Sequence, residues 1–281
     1  MLRALTISAV AAAAAIGVAF AAGEGGHVED YPFSFDSPVG GYDMGAVQRG
    51  YQVYAEVCAS CHAVEHLAYR HLGEEGGPFA AYIVRNHETG EEEMVVHKPE
   101  HGGRFVDVTD NPYVRAIAQA AIIGDIDPNT GQPVDRPGRI SDKFRRPFPN
   151  EIAARASNAG AYPPDLSVIV PARHGGADYV RAFLLGFTGE EDGTLFINTA
   201  FPGGRTAMAP QLMEGRVAYA DADTPQTAEQ YATDVATFLQ WAADPHMEQR
   251  KKTGIVVLAF LAVLAGLLYL AYKQVWRGES H

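Results

Sequence analysis

RGYQVYAEVCASCH, residues 49–62, is the stretch that decides how this 281-residue chain folds. It ends in Cys58 and Cys61, three positions apart, followed directly by His62. Upstream, Asp43 is a residue type that caps helices. The pattern predicts a helix that packs one face on the rest of its domain and delivers both cysteines at its end. Five residues of this predicted face recur at spacings of three and four: Val47, Tyr51, Tyr54, Val57 and Cys58.

C-x-x-C-H is the pattern of covalent haem c attachment. Two thiols one helical turn apart can reach both vinyl groups of one porphyrin, and the imidazole of His62 can then be the proximal iron ligand. A thioredoxin-like redox pair is one alternative, but it requires a neighbouring βαβ pattern that the sequence lacks. A zinc site is another, for which His66 and His71 would be the further ligands. We predict one haem c at Cys58, Cys61 and His62.

The second axial position of the iron separates electron carriers from catalysts. Methionine closes the iron and raises its potential, whereas an open position could bind a small molecule. Of the six methionines, Met208 and Met213 remain as candidates once those in less suitable segments are set aside. Met208 is favoured because Gly203, Gly204 and Pro210 give its loop a composition that can bring the sulfur over a haem face.

The two ends of the chain are apolar. Residues 1–22 combine Arg3, an Ala-rich run and small residues at Ala19 and Ala21, which is typical of a cleaved signal peptide; a retained membrane helix is the alternative. Residues 254–272 are uncharged and apolar. As a helix they would be about 28 Å long, close to the hydrocarbon thickness of a bilayer. They predict a transmembrane anchor, preceded by a basic segment, residues 250–253, that can sit among lipid phosphates.

The order of these segments predicts the topology. A signal peptide would export residues 23–249 as the haem domain, and the anchor would leave residues 273–281 in the cytoplasm. The positive-inside rule disagrees, because three basic residues precede the anchor and only Lys273 and Arg277 follow it. We give the signal peptide more weight, since a large domain behind an export signal crosses largely regardless of charge.

Charge indicates which classes of partner the protein can bind, and cysteine content indicates whether disulfides stabilise it. The formal net charge is −12, from 34 acidic and 22 basic residues. This disfavours nucleic acid and suits a cationic protein that approaches by electrostatic steering. The chain has only two cysteines, fewer than an exported domain stabilised by disulfides would carry.

The rest of the chain predicts a mainly α fold class: a single loop-rich c-type cytochrome domain with a covalent haem in its core, plus one C-terminal transmembrane helix. Helices are predicted over about residues 112–123, 150–158, 177–187 and 224–243, the last being the longest of the domain. Residues 125–146 are rich in Pro and Gly and predict mostly loop. Strand signal is limited to about residues 193–197, and residues 74–104 read as a charged surface excursion.

Several motifs in a fixed order resemble the cytochrome c1 family, the haem subunits of cytochrome bc1 complexes. The resemblance runs from about residue 31 through the anchor. Besides residues 49–62 it includes RPGRISD (136–142), YPPDLS (162–167), ARHGGADYV (172–180), MAP (208–210) and DVATFLQWAADPHMEQRKKTG (234–254).

This resemblance implies roles for further residues. Met208, the methionine of the MAP motif, corresponds to the family's distal ligand, so His62 and Met208 are the expected iron ligands. Arg173 corresponds to an arginine that pairs with a haem propionate. Pro164 would line the edge of the haem pocket, with Tyr179 nearby. A second cysteine pair found in some bacterial relatives is absent, so no disulfide steadies the Met208 loop.

The resemblance also implies a function, the relay of single electrons within quinol:cytochrome c oxidoreductase of a respiratory or photosynthetic chain. The donor would be the Rieske iron–sulfur protein, and the acceptor a soluble or tethered cytochrome c. Cytochrome b would be a further partner in a dimeric complex of the bacterial inner membrane, with the haem domain in the periplasm. No substrate bond would be made or broken on this chain itself.

Two clusters of acidic residues are candidates for steering a basic cytochrome c to the haem edge. They are Glu190, Glu191 and Asp192, and Glu214, Asp221 and Asp223. The alternatives to the relay are a free membrane-tethered cytochrome, a haem enzyme or gas sensor with an open distal site, and a subunit whose haem is purely structural.

Overall fold

The computed structural model describes residue 26 and residues 28–86, 89–99 and 102–278. The predicted signal peptide lies outside these residues. The described part contains six α-helices: α1 (Met44–Glu56), α2 (Pro112–Ala120), α3 (Glu151–Ser157), α4 (Gly176–Leu185), α5 (Ala228–Ala243) and α6 (Met247–Val275). It also contains eight short strands: β1 (Ala81–Arg85), β2 (Glu92–Val96), β3 (Arg104–Phe105), β4 (Ile122–Ile126), β5 (Pro133–Pro137), β6 (Phe187–Asp192), β7 (Leu195–Asn198) and β8 (Arg205–Thr206).

All strand pairs described are antiparallel and form three small sheets. The first has the order β2-β1-β3, with Ile83 opposite Met94. The second is the hairpin β4–β5, with Gly124 opposite Asp135. The third has the order β6-β7-β8. The prediction of a mainly α fold therefore included too few strands. The strands are short and lie at the edge of a helical core.

The prediction that residues 125–146 are mostly loop was wrong at their start, where β4 and β5 pair through a turn closed by Asp127 and Gly131. Ile122, Ile126 and Val134 on this hairpin are all exposed. Because neither face of the hairpin is buried, its sequence does not alternate between apolar and polar residues. The two strands are defined by their backbone pairing alone, so the sequence pattern did not predict them.

The charged stretch of residues 74–104 supplies most of the first sheet. Ala81 is fully buried, and the ring of Tyr82 packs edge-on against Phe105 at 5.6 Å between centroids. Glu92 and Glu93 of β2 are exposed, in keeping with the predicted surface position.

The core of the domain forms where α1 crosses α5. A Cβ atom built on Gly50 would lie 2.0 Å from the carbonyl oxygen of Asp234, so only glycine permits this approach. Beside the crossing, Arg49 donates two hydrogen bonds of 2.9 Å to Asp234, whose side chain is fully buried. The hydroxyl of Tyr219 donates a third, at 2.8 Å. This ion pair locks the relative position of the two helices.

Helix boundaries follow local capping. The carboxylate of Asp43 accepts hydrogen bonds from Gly45 and Ala46, which confirms the predicted start of α1. Helix α5 begins at Ala228, after the cap Thr227, and not near Thr224. Thr224 is instead bound to Asp221 in a turn, with 2.7 Å between its hydroxyl and the carboxylate.

The final helix, α6, is 29 residues long and includes both the basic segment and the predicted anchor. It is long and apolar enough to cross a membrane, and its apolar stretch is exposed along its whole length. Met247, in its first turn, is buried in the core of the domain. The helix therefore leaves the domain without a flexible joint.

Candidate haem-attachment site

The C-x-x-C-H motif forms a tight turn that continues α1. Cys58 begins a 3-10 turn, and its carbonyl oxygen accepts the backbone N–H groups of both Cys61 (3.1 Å) and His62 (2.9 Å). Cys58 packs against the hydrophobic core, and both cysteines are free of disulfides. The helix thus presents two free thiols and an imidazole within one turn, as predicted.

The imidazole of His62 is oriented by a backbone atom from a distant segment. Its Nδ1 lies 2.8 Å from the carbonyl oxygen of Pro164. Because a carbonyl can only accept, Nδ1 carries the proton and the lone pair is on Nε2. Burial lowers the pKa of His62, which favours the neutral imidazole that a metal requires. A hydrogen bond from the ring nitrogen that does not bind the metal is the usual way in which a protein orients a histidine ligand.

Three hydrogen bonds hold the Pro164 segment against residues 63–66, and a fourth lies within the segment. The N–H of Leu166 donates to the carbonyl of Ala63 at 2.8 Å. The carboxylate of Asp165 accepts from Glu65 at 2.9 Å and from Ser167 at 2.8 Å. The Ser167 hydroxyl, fully buried, accepts the N–H of His66 at 3.0 Å. The sequence reasoning missed these roles of Asp165 and Ser167, although an Asp followed two residues later by Ser is a turn pattern that could have indicated them.

Helix α1 holds the histidine backbone from the other side. The hydroxyl of Tyr54 donates to the carbonyl of His62 at 3.2 Å. The Tyr54 ring is buried and packs between Phe144 and Phe238, at centroid distances of 6.2 and 5.5 Å. The motif is therefore fixed both to the core and to the Pro164 segment.

A pocket of mixed polarity lies beside the second cysteine. Its lining includes Cys61 and the apolar residues Ala63, Phe148 and Pro163. It also includes charged residues, namely Glu65, Arg146, Glu151 and Asp165.

The two methionine candidates differ in exposure. Met208 is half-buried in the loop after β8, where its N–H donates to the hydroxyl of Thr206 at 3.2 Å. Met213 is 59% exposed. A firm axial ligand must sit inside the domain, so the structure favours Met208.

Arg173 and Tyr179 are brought together at the start of α4. Gly175 adopts a φ of 88°, which turns the chain into this helix. Burial raises the pKa of the Tyr179 hydroxyl, and the positive charge of the neighbouring Arg173 guanidinium acts in the opposite direction. Arg173 is otherwise exposed, so its guanidinium can also meet an anion.

The alternatives to haem find little in this geometry. The three described sheets are antiparallel, without the βαβ unit of a thioredoxin-like protein. Burial raises the pKa of the Cys58 thiol to about 12, whereas a redox pair needs a lowered one. His66 is exposed, and Nδ1 of His71 already accepts the N–H of Ala68 at 3.0 Å. Within the described residues, no three His, Cys, Asp or Glu side chains are placed to hold a metal ion.

A helix that ends in an attachment motif, an oriented histidine and a long apolar terminal helix together match the class of membrane-anchored c-type cytochromes. Within that class the assignment is specific. The family model described as the Cytochrome C1 family matches residues 33–279, and the chain belongs to this family.

Individual relatives agree. The chain is 38% identical to "Cytochrome c1, heme protein, mitochondrial" of Saccharomyces cerevisiae, over 92% of this chain and 75% of the relative. It is 36% identical to "Cytochrome b-c1 complex catalytic subunit, mitochondrial" of Candida albicans, over 87% of this chain and 75% of the relative. It is also 40% identical to "Cytochrome b/c1" of Bradyrhizobium diazoefficiens over 89% of its own length, but spans only 35% of that relative.

Proposed function

We propose that this chain is the haem-bearing electron carrier of a cytochrome bc1 complex. Cys58 and Cys61 would hold one haem c, and His62 and Met208 would ligate its iron. The observation that carries the proposal is the hydrogen bond between His62 Nδ1 and the Pro164 carbonyl, 2.8 Å long, which leaves Nε2 for the iron. Relatives named as heme proteins and as cytochrome b-c1 subunits support it.

The bound haem supplies a one-electron couple of its iron, and the residues of this chain set the conditions for it. Cys58 and Cys61 fix the ring to the end of α1. His62 keeps one orientation because Pro164 and Tyr54 hold its ring and its carbonyl. Met208 closes the other side against small molecules and raises the potential.

Arg173 serves the haem periphery in this proposal. A guanidinium can hold a propionate with two parallel hydrogen bonds and keep it charged. Tyr179 lies near Arg173 and would face the same part of the haem periphery. Pro164 contributes through its backbone carbonyl rather than through its ring.

The direction of electron flow that we propose is supported by the resemblance to the family. The chain would accept electrons from the Rieske iron–sulfur protein and deliver them to a cytochrome c, beside cytochrome b in a dimeric complex. With the predicted signal peptide and α6 as anchor, the haem domain would lie in the periplasm of a bacterial inner membrane. The "Cytochrome b/c1" relative from a bacterium supports this setting.

The contacts that the acidic residues already make reduce the number of candidates for docking a cytochrome c. Asp192 already pairs with Arg205, and Asp221 is used by its own turn. Glu190, Glu191, Glu214 and Asp223 are exposed. They are the better candidates for steering a basic cytochrome c, an effect that weakens as salt rises.

The experiment compares Met208→Leu with Met213→Leu in the complete membrane complex. We expect Met208→Leu to lower the haem potential, admit carbon monoxide and slow the reduction of cytochrome c by quinol. Met213→Leu, at the exposed methionine, should leave all three unchanged. The opposite result would assign the distal ligand to Met213, and no effect of either variant would refute methionine ligation.

A further inference from the structure

The first turn of α6 is fastened to the N-terminal segment of the domain. Glu248 Oε1 accepts the N–H of Tyr42 at 3.0 Å. The Tyr42 hydroxyl lies within hydrogen-bonding distance of the carbonyls of Gln240 (3.3 Å) and Asp244 (3.0 Å). Met247 is buried between these contacts and the core. The start of the anchor and the domain therefore move as one body.

One turn further along, Lys251 holds a loop of the same segment. Its ammonium group donates to the carbonyls of Phe35, Ser37 (2.8 Å) and Gly40 (3.3 Å). An ammonium has three protons, so these contacts use all of them. Lys251 is thus committed to the protein and not to lipid phosphate.

The other two basic residues of the segment differ from Lys251. Arg250 pairs with Asp244, with 3.0 Å between Nε and Oδ2. Lys252 has a side chain that is 81% exposed and lies 4.0 Å from Glu248. Of the three, Lys252 has the cation most available to a lipid headgroup.

The loop held by Lys251 ends in an apolar tip. The N–H of Gly40 donates to the carbonyl of Ser37 at 3.0 Å and closes a β-turn around Pro38 and Val39. Val39 is 81% exposed, although it is a residue type that is usually inside. Since both ends of the turn are bound to Lys251, the tip keeps a fixed position relative to α6.

The depth of this turn relative to a membrane can be estimated. Lys251 is three residues before Gly254, where the uncharged stretch begins. Three residues of helix span about 4.5 Å. The headgroup layer extends about 5–7 Å beyond the hydrocarbon core on each side. The backbone at Lys251 therefore lies at the level of the headgroups, and the turn is bound to the end of its side chain.

We infer that residues 37–40 form a second membrane contact, with Pro38 and Val39 seated in the headgroup layer beside the anchor. The inference rests on the proposed membrane span of α6. A lipid surface is the partner because the tip is apolar and exposed, and because the turn is bound to Lys251, three residues before the span. Two fixed contacts would set the tilt of the haem domain over the membrane, which a single helix leaves free.

The test uses the full chain with its haem in nanodiscs of phosphatidylcholine and phosphatidylglycerol. Single nitroxide labels are attached at Val39→Cys, Ile152→Cys or Val263→Cys. Collision with oxygen, which concentrates in lipid, is compared with collision with a water-soluble nickel chelate. Ile152 on α3 is the matched control, since it is also 81% exposed, and Val263 marks the centre of the span.

We expect the label at Val39 to favour oxygen over nickel several-fold more than the label at Ile152, with the label at Val263 more strongly lipid-exposed than both. A Val39 label as aqueous as that at Ile152, while Val263 is in lipid, would overturn the second contact and leave the anchor intact. A Val39 label shielded from both reagents would overturn it as well, in favour of cover by protein. An aqueous Val263 label would instead refute the anchor itself.

Discussion

Replacing Gly50 with alanine tests the helix crossing on which the haem site is built. The added Cβ would lie 2.0 Å from the carbonyl oxygen of Asp234 and 2.7 Å from Cβ of Phe238. The first contact involves backbone, so relief requires α1 and α5 to separate by more than 1 Å, which also stretches the pair between Arg49 and Asp234. Overpacking of this kind costs typically about 1–3 kcal/mol, and the short contact places Gly50→Ala at about 3.

For a domain of this size, about 3 kcal/mol corresponds to a fall in Tm of about 6–12 °C. The assay is thermal unfolding of the full haem-loaded chain in detergent, followed by far-UV circular dichroism. Gly45→Ala is the control on the same helix, because its Cβ would meet only the side chains of Asp43 and Arg49, at 3.2 Å or more. That change should cost far less than Gly50→Ala, because both neighbours are the ends of side chains and not backbone. A Gly50→Ala chain as stable as Gly45→Ala would refute the close crossing.

Two further predictions concern charges. Asp234→Asn removes the charge of the fully buried partner of Arg49. We expect the free energy of unfolding in denaturant to fall by about 2–3 kcal/mol, less than for a wholly buried pair because Arg49 is 26% exposed. Asp192→Asn, in an exposed pair, should cost under about 1 kcal/mol, and equal losses for the two variants would contradict this reasoning. Hydrogen bonds from Arg136 lower the pKa of Asp142 below its ordinary 3.8. A carboxylate with a lowered folded pKa stabilises the protein above about pH 4, and that contribution is lost as the pH falls through the folded value. Tm should therefore fall less steeply in acid for Arg136→Gln than for wild type, and parallel curves would remove Asp142 from the acid response.

Local patterns in the sequence were enough for the elements that carry the site. Helix α1 begins after Asp43 as predicted, because a cap and apolar spacing act within a few residues. The longest predicted helix of the domain is also present as α5, and apolar residues spaced three and four apart line its buried face: Tyr231, Val235, Phe238 and Leu239. These features need no knowledge of distant contacts.

What sequence reasoning missed depends on distant or unpatterned backbone. The acceptor for His62 is a backbone carbonyl 102 positions away. Every residue has such a carbonyl, so the sequence does not show which one will lie beside the histidine. The β4–β5 hairpin is exposed on both faces, so it lacks a periodic pattern. Lys251 was predicted to contact lipid because its partners are backbone carbonyls far away in the sequence. That of Ser37, for example, is 214 residues earlier, and no sequence pattern indicates it.

The most direct test of the central claim is the absorbance spectrum of the intact, reduced protein with and without carbon monoxide. A single haem closed by His62 and Met208 leaves no position for the gas, so the two spectra should coincide. A carbon monoxide adduct that forms readily in the wild-type protein would show an open iron. That result would contradict the electron-carrier account and favour a haem enzyme or a gas sensor.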